Sequence, residues 1–427
     1  MRRLRSSELD SSFFAVHEVE DVKVVCQIIT DVKIRGDMAL KEYTRKFDGV
    51  DIASFLVPAR EISQARETSS QELVECLEAA ASRIEKFAQK QFDKLQDFEI
   101  EMDRGIIAGQ KIVPVERVGV YVPGGRYPLV SSVLMGAVPA RVAGVKEIAL
   151  FSPPSDNGEI APGILAAAAV ADIEEVYRLG GAQAVAAMAY GTQSVKPVHK
   201  IVGPGNIYVN AAKKLVYGRV GVDFIAGPTE ILIIADKTAN PSYVAADLIA
   251  QAEHDIEARP VLLSDSERFA DDVMKEMDVQ LQALKTAKTA RQSLQKNGVV
   301  VVFDHAEEAV DIANRKAPEH LQLCVSNPED FLPHLRNYGT LFVGEYASET
   351  LGDYSSGLNH ILPTNAAARY TGGLSVKDFV KIQTILKVDQ EGFRKIGPVA
   401  ASIAHAEGLF GHEAAIRKRL DHLIGLG

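Results

Sequence analysis

Val118-Gly119-Val120-Tyr121-Val122, stopped abruptly by Pro123-Gly124-Gly125, is the stretch whose reading decides the fold. A short β-rich run that ends on Pro and Gly reads as a strand entering a tight turn. The same pattern recurs downstream. Ile148-Ala149-Leu150-Phe151 ends at Ser152-Pro153-Pro154, and an Ala-rich helical pattern over 161–171 leads to Val176-Tyr177-Arg178-Leu179 and Gly180-Gly181. Lys200-Ile201-Val202 then meets Gly203-Pro204-Gly205. Strands separated by helix-length segments and closed by Gly-rich turns imply βαβ units and a parallel sheet. A second set follows: Ile231-Leu232-Ile233-Ile234-Ala235, Val261-Leu262-Leu263, Val299-Val300-Val301-Val302-Phe303 and Thr340-Leu341-Phe342-Val343. Such continuous apolar runs suit strands buried on both faces.

Working outward, residues 15–115 read as mostly helical, and 70–95 carries Leu, Ala and Ile at helical intervals without Pro or Gly. The end of the chain reads as a helical tail. The fold class is therefore α/β: two Rossmann-like parallel-sheet domains with small helical N- and C-terminal extensions. The division expected is an arm over 1–19, a discontinuous domain over 20–120 and 229–373, a second domain over 121–228, and a tail over 374–427.

The 427 residues are enough for two or three domains, and 47% hydrophobic with 24% charged residues is an ordinary globular balance. A net charge of -10 argues against a nucleic-acid partner, whose phosphates need clustered Lys and Arg. Arg2, Arg3 and Arg5 precede no apolar run, so no signal peptide is read, and no stretch is long and apolar enough for a membrane span. Three scattered cysteines, Cys26, Cys76 and Cys324, fit a reducing compartment and supply no thiolate metal cluster. A cytoplasmic protein is expected.

Four segments hold more polar chemistry than a core needs. Gln251-Ala252-Glu253-His254 lies on a helix that Asn240 caps and Pro241 opens, so Gln251 and His254, at i and i+3, share a face and could share one ligand. A surface His beside a Gln is the blander account. In Ala317-Pro318-Glu319-His320-Leu321 the adjacent acid and imidazole suit a general base and a proton relay, against a plain helix start. Gly352-Asp353-Tyr354-Ser355-Ser356-Gly357-Leu358-Asn359-His360 crowds an acid, hydroxyls, an amide and an imidazole onto what reads as a loop. Glu407-Gly408-Leu409-Phe410-Gly411-His412 is weak alone, since Glu and His are ordinary in a solvated helix. Together, Gln251, His254, Asp353 and His412 form a nitrogen and oxygen set suited to a catalytic zinc, although spacing alone cannot bring them together.

Taken in order, these segments resemble the histidinol dehydrogenase family. Besides the four, the matching pieces are Tyr121-Val122-Pro123-Gly124-Gly125, Gly180-Gly181-Ala182-Gln183-Ala184, Val202-Gly203-Pro204-Gly205-Asn206, Ala226-Gly227-Pro228-Thr229-Glu230 and Asn359-His360-Ile361-Leu362-Pro363-Thr364. The resemblance implies zinc on Gln251, His254, Asp353 and His412, and a catalytic pair of Glu319 and His320. It implies substrate contacts from Thr229, His320, His360 and Glu407 besides the metal ligands, and NAD contacts from Tyr121, Gln183 and Asn206. It also implies a homodimer in which each tail lends Glu407 and His412 to its partner's site. Thr229 stands where many members have Ser, and Arg369-Tyr370-Thr371-Gly372-Gly373-Leu374 maps to no role. NAD comes from the resemblance alone, because no G-x-G-x-x-G loop is present at a strand-to-helix turn.

The reaction implied is oxidation of an amino alcohol, L-histidinol, through its aldehyde to the acid in histidine biosynthesis, with two NAD. The alternative keeps the chemistry on another small polar alcohol, such as a sulfonated diol. A zinc hydrolase using Glu319 as base and a non-catalytic binding protein are the more distant readings; the first lacks an H-E-x-x-H helix.

Overall fold

Two apolar strands in mid-chain, Glu230–Ala235 and Arg117–Tyr121, are buried at every residue, and a parallel sheet has grown around each. The structure is a computed structural model that describes residues 1–16, 23–124 and 127–424. Gly125 of the first turn, residues 17–22 and the tail residues 425–427 lie outside the described residues.

In chain order the elements begin with β1 (Arg2–Arg5), α1 (Lys23–Arg35), α2 (Asp37–Phe47), α3 (Ala59–Thr68), α4 (Gln71–Phe92), β2 (Phe98–Asp103) and β3 (Ile106–Pro114). Next come β4 (Arg117–Tyr121), α5 (Val130–Val142), β5 (Glu147–Ser152), α6 (Pro162–Val170), β6 (Glu175–Arg178), α7 (Gly181–Tyr190), β7 (Lys200–Val202), α8 (Ile207–Val216) and β8 (Gly221–Val222). Then β9 (Glu230–Ala235), α9 (Pro241–His254), β10 (Arg259–Ser264), α10 (Glu267–Ala283), α11 (Ala287–Lys296), β11 (Val299–Val302), α12 (Ala306–Lys316), β12 (His320–Cys324) and β13 (Thr340–Val343) follow. The last are α13 (Glu349–Tyr354), β14 (Val380–Val388), α14 (Gln390–Ala406) and α15 (Phe410–Leu423).

The chain divides into two units, Met1–Gln89 with Glu116–Phe379, and Lys90–Val115 with Val380–Gly427. The first holds both parallel sheets. One runs β6-β5-β4-β7-β8, and the other runs β1-β11-β10-β9-β12-β13. In each, β4 or β9 is central, with two later strands paired on either side, and β1 adds to the far edge of the β9 sheet. That is the doubly wound order, and it leaves a crevice where the order reverses.

Alternation sets the layers around β9. Ile231 and Ile233 face a core built with α9, α10 and α11, while Leu232 and Ile234 face one that includes Ala309, Ile312 and Ala313 of α12. In the other sheet, Tyr121, Phe151 and Tyr177 pack with residues of α1, α2, α7 and α8. Arg117, 2% exposed, ties the strand starts together by donating to Glu175 at 2.6 and 2.7 Å and to Glu147 at 2.9 Å. The second unit holds an antiparallel sheet, β14-β3-β2, and the hairpin of α14 and α15.

The expected α/β architecture is present, with differences in detail. Residues 98–114, read as helical, form the hairpin β2–β3. The sequence carries the reason, since Phe98, Ile100 and Met102 alternate with Glu99, Glu101 and Asp103, and Gly105 turns the chain at a φ of 78°. The arm contributes a strand, β1, paired in parallel with β11, rather than a helix. The tail begins with the nine-residue strand β14 before it becomes helical. Among the described helices none is long and apolar enough to cross a membrane.

Candidate active site

Polar and titratable side chains concentrate at the amino-terminal edge of the β9 sheet. Thr229 precedes β9 and Glu230 opens it; Glu319 precedes β12 and His320 opens that. The two strands are neighbours, with His320 opposite Ile231, so both pairs meet at one edge. Helix α9 leaves the far end of β9 and returns, which carries Gln251 and His254 on its last turn and a half back to the same edge. Asn240 caps it, its carboxamide oxygen accepting from Ser242 N–H, and Pro241 occupies the first turn as expected. Helix α12 ends at Lys316 with Ala317 left-handed (φ 49°), so Pro318-Glu319-His320 is a helix exit into a strand and not a helix start. Asp353 lies in α13, a helix of six residues, where a loop is expected from the sequence.

A continuous network links these groups. Gln251 Nε2 donates to Thr229 Oγ1 at 2.6 Å, and Thr229 Oγ1 donates to Glu319 Oε2 at 2.5 Å. The same carboxylate oxygen accepts from Glu230 N–H at 2.9 Å, and the Glu230 carbonyl accepts from His320 Nδ1 at 3.3 Å. A carbonyl can only accept, so Nδ1 carries the proton and Nε2 is the proton-accepting atom. Nε2 has no hydrogen-bond partner among the described residues and stands 3.7 Å from Asp353 Oδ1. The Glu230 backbone thus orients both members of the dyad. Its own side chain accepts from Asn365 N–H at 3.0 Å and faces Lys316.

Burial sets the electrostatics. It pushes Glu319 up to about 7, against the opposing pull of His320, Thr229 and the Glu230 N–H, which places a base near neutrality. Burial alone would lower His320, but Glu319 and then Asp353 and Glu349 outweigh it and hold the imidazole up to about 10 while those carboxylates carry no counter-ion. A divalent cation on Asp353 would offset that pull and favour the neutral ring whose Nε2 accepts a proton. Burial lowers His254, which favours the neutral imidazole that a metal binds. Asp353 is held below the usual carboxylate range, as His320, His360 and His254 together overcome its burial.

The edge is also rich in unused donors to a cation. An imidazole nitrogen of His254 and carboxylate oxygens of Glu349 and Asp353 lie within 4.8 Å of one another. Gln251 is fully buried, and its Oε1 has no hydrogen-bond partner among the described residues. An orphaned buried oxygen costs free energy unless something accepts its lone pairs, and a divalent ion does. His360 is held beside Asp353: Nδ1 donates to the Asp353 carbonyl at 2.8 Å, and Nε2 accepts from Ser132 Oγ at 3.0 Å. Ser132 belongs to α5, so the edge of one sheet is fastened to a helix of the other.

A second constellation stands at the carboxyl edge of the β4 sheet. Tyr121 ends β4, Gln183 follows β6 in the first turn of α7, and Asn206 caps α8 just after β7. The ends of β4 and β7 flank the crevice of this sheet, the usual nucleotide position in such folds. There the chain is pressed close: Gly203 has φ 117°, and a Cβ on it would lie 2.1 Å from the Tyr121 carbonyl oxygen. Buried Lys213 donates to the Gly203 carbonyl at 3.0 Å and pairs with Asp223, which in turn accepts from Gly203 N–H at 2.8 Å. Tyr121 and Gln183 are buried, the Tyr121 hydroxyl accepting from Gly181 N–H at 3.1 Å, and Asn206 is exposed.

The family model described as histidinol dehydrogenase matches residues 15–420. A histidinol dehydrogenase of Rhizobium meliloti is 45% identical over 98% of both chains, and one of Methanothermobacter thermautotrophicus is 45% identical over 94% of both. The crystal structure of the histidinol dehydrogenase from Elizabethkingia anophelis superimposes with a TM-score of 0.92 at 38% identity, covering 99% of this chain and 98% of that one. The chain belongs to the histidinol dehydrogenase family. It is an oxidoreductase.

Within this histidinol dehydrogenase fold, the first unit gathers Thr229, Gln251, His254, Glu319, His320, Asp353 and His360 at one edge, while Glu407 and His412 lie exposed in the second unit. Sequence reasoning missed Glu349, Glu230 and Ser132. A signal for Glu349 exists: it stands four residues before Asp353, behind a Ser at the N-cap position, and i and i+4 share a helix face. The 369–374 stretch still has no assigned role.

Proposed function

We propose that this member of the family oxidises L-histidinol to L-histidine through histidinaldehyde, as the last steps of histidine biosynthesis, using zinc and two NAD. The observation that carries this reading is the Glu319–His320 dyad facing the His254–Glu349–Asp353 donors across 3.7 Å, from His320 Nε2 to Asp353 Oδ1. The residues fit both groups. Orphaned Gln251 Oε1 beside nitrogen and oxygen donors suits zinc, with Gln251, His254, Asp353 and a tail His412 as its holders. The crevice at Tyr121 and Gly203, with Asn206 and Gln183 near it, suits NAD. When bound, zinc supplies a template for the substrate amine and ring nitrogen, and NAD supplies the hydride acceptor.

The chain's own side chains handle the protons. His320 Nε2 takes the hydroxyl proton as the alcohol becomes the aldehyde. Glu319 takes a proton from the water that adds to the aldehyde carbon, and a carboxylate held up to about 7 is suited to that step. Thr229 and His360 line the substrate's place, and Glu407 offers negative charge to its ammonium. Fixed orientation of these groups can contribute roughly 7 to 11 kcal/mol to the barrier reduction.

A homodimer with tails exchanged is part of the proposal. Glu407 and His412 are exposed, and the second unit leaves Phe98, Ile100, Met102, Ile382 and Leu386 of its sheet in solvent, as a surface awaiting a partner would. Exposed, unpaired Cys26 and Cys76 suit a reducing cytoplasm.

The test is His320→Asn. Turnover of histidinol is expected to fall by about 10² or more, the size of a general-base contribution, with zinc content unchanged. Near-normal turnover removes His320 from the reaction.

A further inference from the structure

Glu349 is a buried acid that the reaction above does not use. It is 1% exposed, and its Oε1 has no hydrogen-bond partner among the described residues. It opens α13, one turn before Asp353, so both carboxylates point from one face of a short helix that packs against α9. One oxygen of each lies with an imidazole nitrogen of His254 inside a 4.8 Å cluster. Two carboxylates crowded together out of water repel each other and lack hydration. A divalent cation relieves both costs, because two carboxylates balance its charge and their oxygens gain a partner. The fourth donor is at hand, since Gln251, one turn before His254, keeps an unpartnered buried oxygen.

We propose that in the substrate-free protein Glu349 is itself a metal ligand, so that Gln251, His254, Glu349 and Asp353 form a four-donor site complete within the first unit. The inference rests on the metal-dependent reading above and deepens it. The ion is then retained by the chain's own sheet edge, and His412 of a tail adds to a site already able to hold it. A set of one nitrogen and three oxygens, without sulfur, suits zinc, cobalt(II) or manganese(II).

The experiment uses metal-free full-length protein titrated with zinc and with cobalt(II), reading metal per chain, Kd and the visible cobalt band. The chains compared are wild type, Glu349→Gln, His412→Asn and the double variant, with circular dichroism as the check on folding. Wild type and His412→Asn are expected to hold one ion per chain, the latter more weakly by about tenfold. Glu349→Gln is expected to weaken binding by about a hundredfold, at or beyond what loss of an outer-shell contact does, and to move the cobalt band. The double variant is expected to hold no stoichiometric ion. If Glu349→Gln matches wild type in Kd and spectrum, or His412→Asn holds no ion, the proposal is overturned while the zinc reading stands. If wild type itself binds no ion, the zinc reading fails and takes the proposal with it. Should Glu349→Gln not fold, Glu349→Asp, which keeps the charge and withdraws the oxygen, is expected to weaken binding and shift the band, and unchanged values overturn the proposal.

Discussion

Thr229 is bonded on both sides, accepting from Gln251 and donating to Glu319, so one hydroxyl couples the Gln251 amide to the Glu319 carboxylate. A hydrogen bond to a charged group is worth roughly 1.5 to 3 kcal/mol, so Thr229→Val is expected to lower turnover about tenfold or more while Thr229→Ser stays near wild type. Sign follows from the same bond. It stabilises the Glu319 anion, whose proton is lost near pH 7, so aldehyde oxidation is expected to rise with pH through about 7. In Thr229→Val that limb moves to higher pH; a pH–rate profile with an unmoved limb contradicts the coupling. At this scale much was legible in the chain itself. Gln251 and His254 were readable because an Asn-Pro start fixes the helix and hence the face they share. Glu349 was not, because Gly352 and Ser355-Ser356-Gly357 punctuate the stretch, and six residues of helix are too few to leave a periodic signature.

Elements bring the residues to their places, and the turn from β7 to α8 shows how firmly. Lys213 and Asp223 are both buried and bond to the carbonyl and the N–H of Gly203, clamping the backbone where the Tyr121 carbonyl lies closest. Lys213→Met strands the Asp223 charge, and removing one partner of a buried pair costs about 3 to 5 kcal/mol. Denaturant melts are expected to show that loss, and the KM for NAD to rise more than kcat falls; a change in kcat alone would place the cofactor elsewhere. Strand existence followed from runs such as Val299-Val300-Val301-Val302, which no amphipathic helix would carry. The hairpin β2–β3 escaped because its alternation is half charged and both faces of β2 are exposed, so it lacks the apolar run that marks a core strand. Strand β12 escaped for another reason: its start is the Glu319-His320 pair, where polar residues replace the usual apolar entry.

Across the whole molecule, the first unit supplies the dyad and the second the exposed Glu407 and His412. If each tail serves the other subunit, two variants that each lack one half of the site can repair one another: His320→Asn lacks the base, and His412→Asn, although it keeps its ion, lacks a tail contact to the substrate. Equal mixtures of His320→Asn and His412→Asn chains, unfolded and refolded together, are expected to recover about a quarter of wild-type activity, since half the dimers are mixed and one of their two sites is intact. No recovery would assign the tail to its own chain. The meeting of α5 with the edge of the β9 sheet was not readable from residue spacing, because it depends on a contact between Ser132 and His360, 228 residues apart. The central claim, that this edge carries an alcohol through to an acid, is tested most directly by following NADH absorbance to completion with histidinol limiting and NAD in excess. Two NADH per histidinol are expected, with the signal abolished by chelation and restored by zinc. One NADH per histidinol, none, or a trace indifferent to chelation would contradict it.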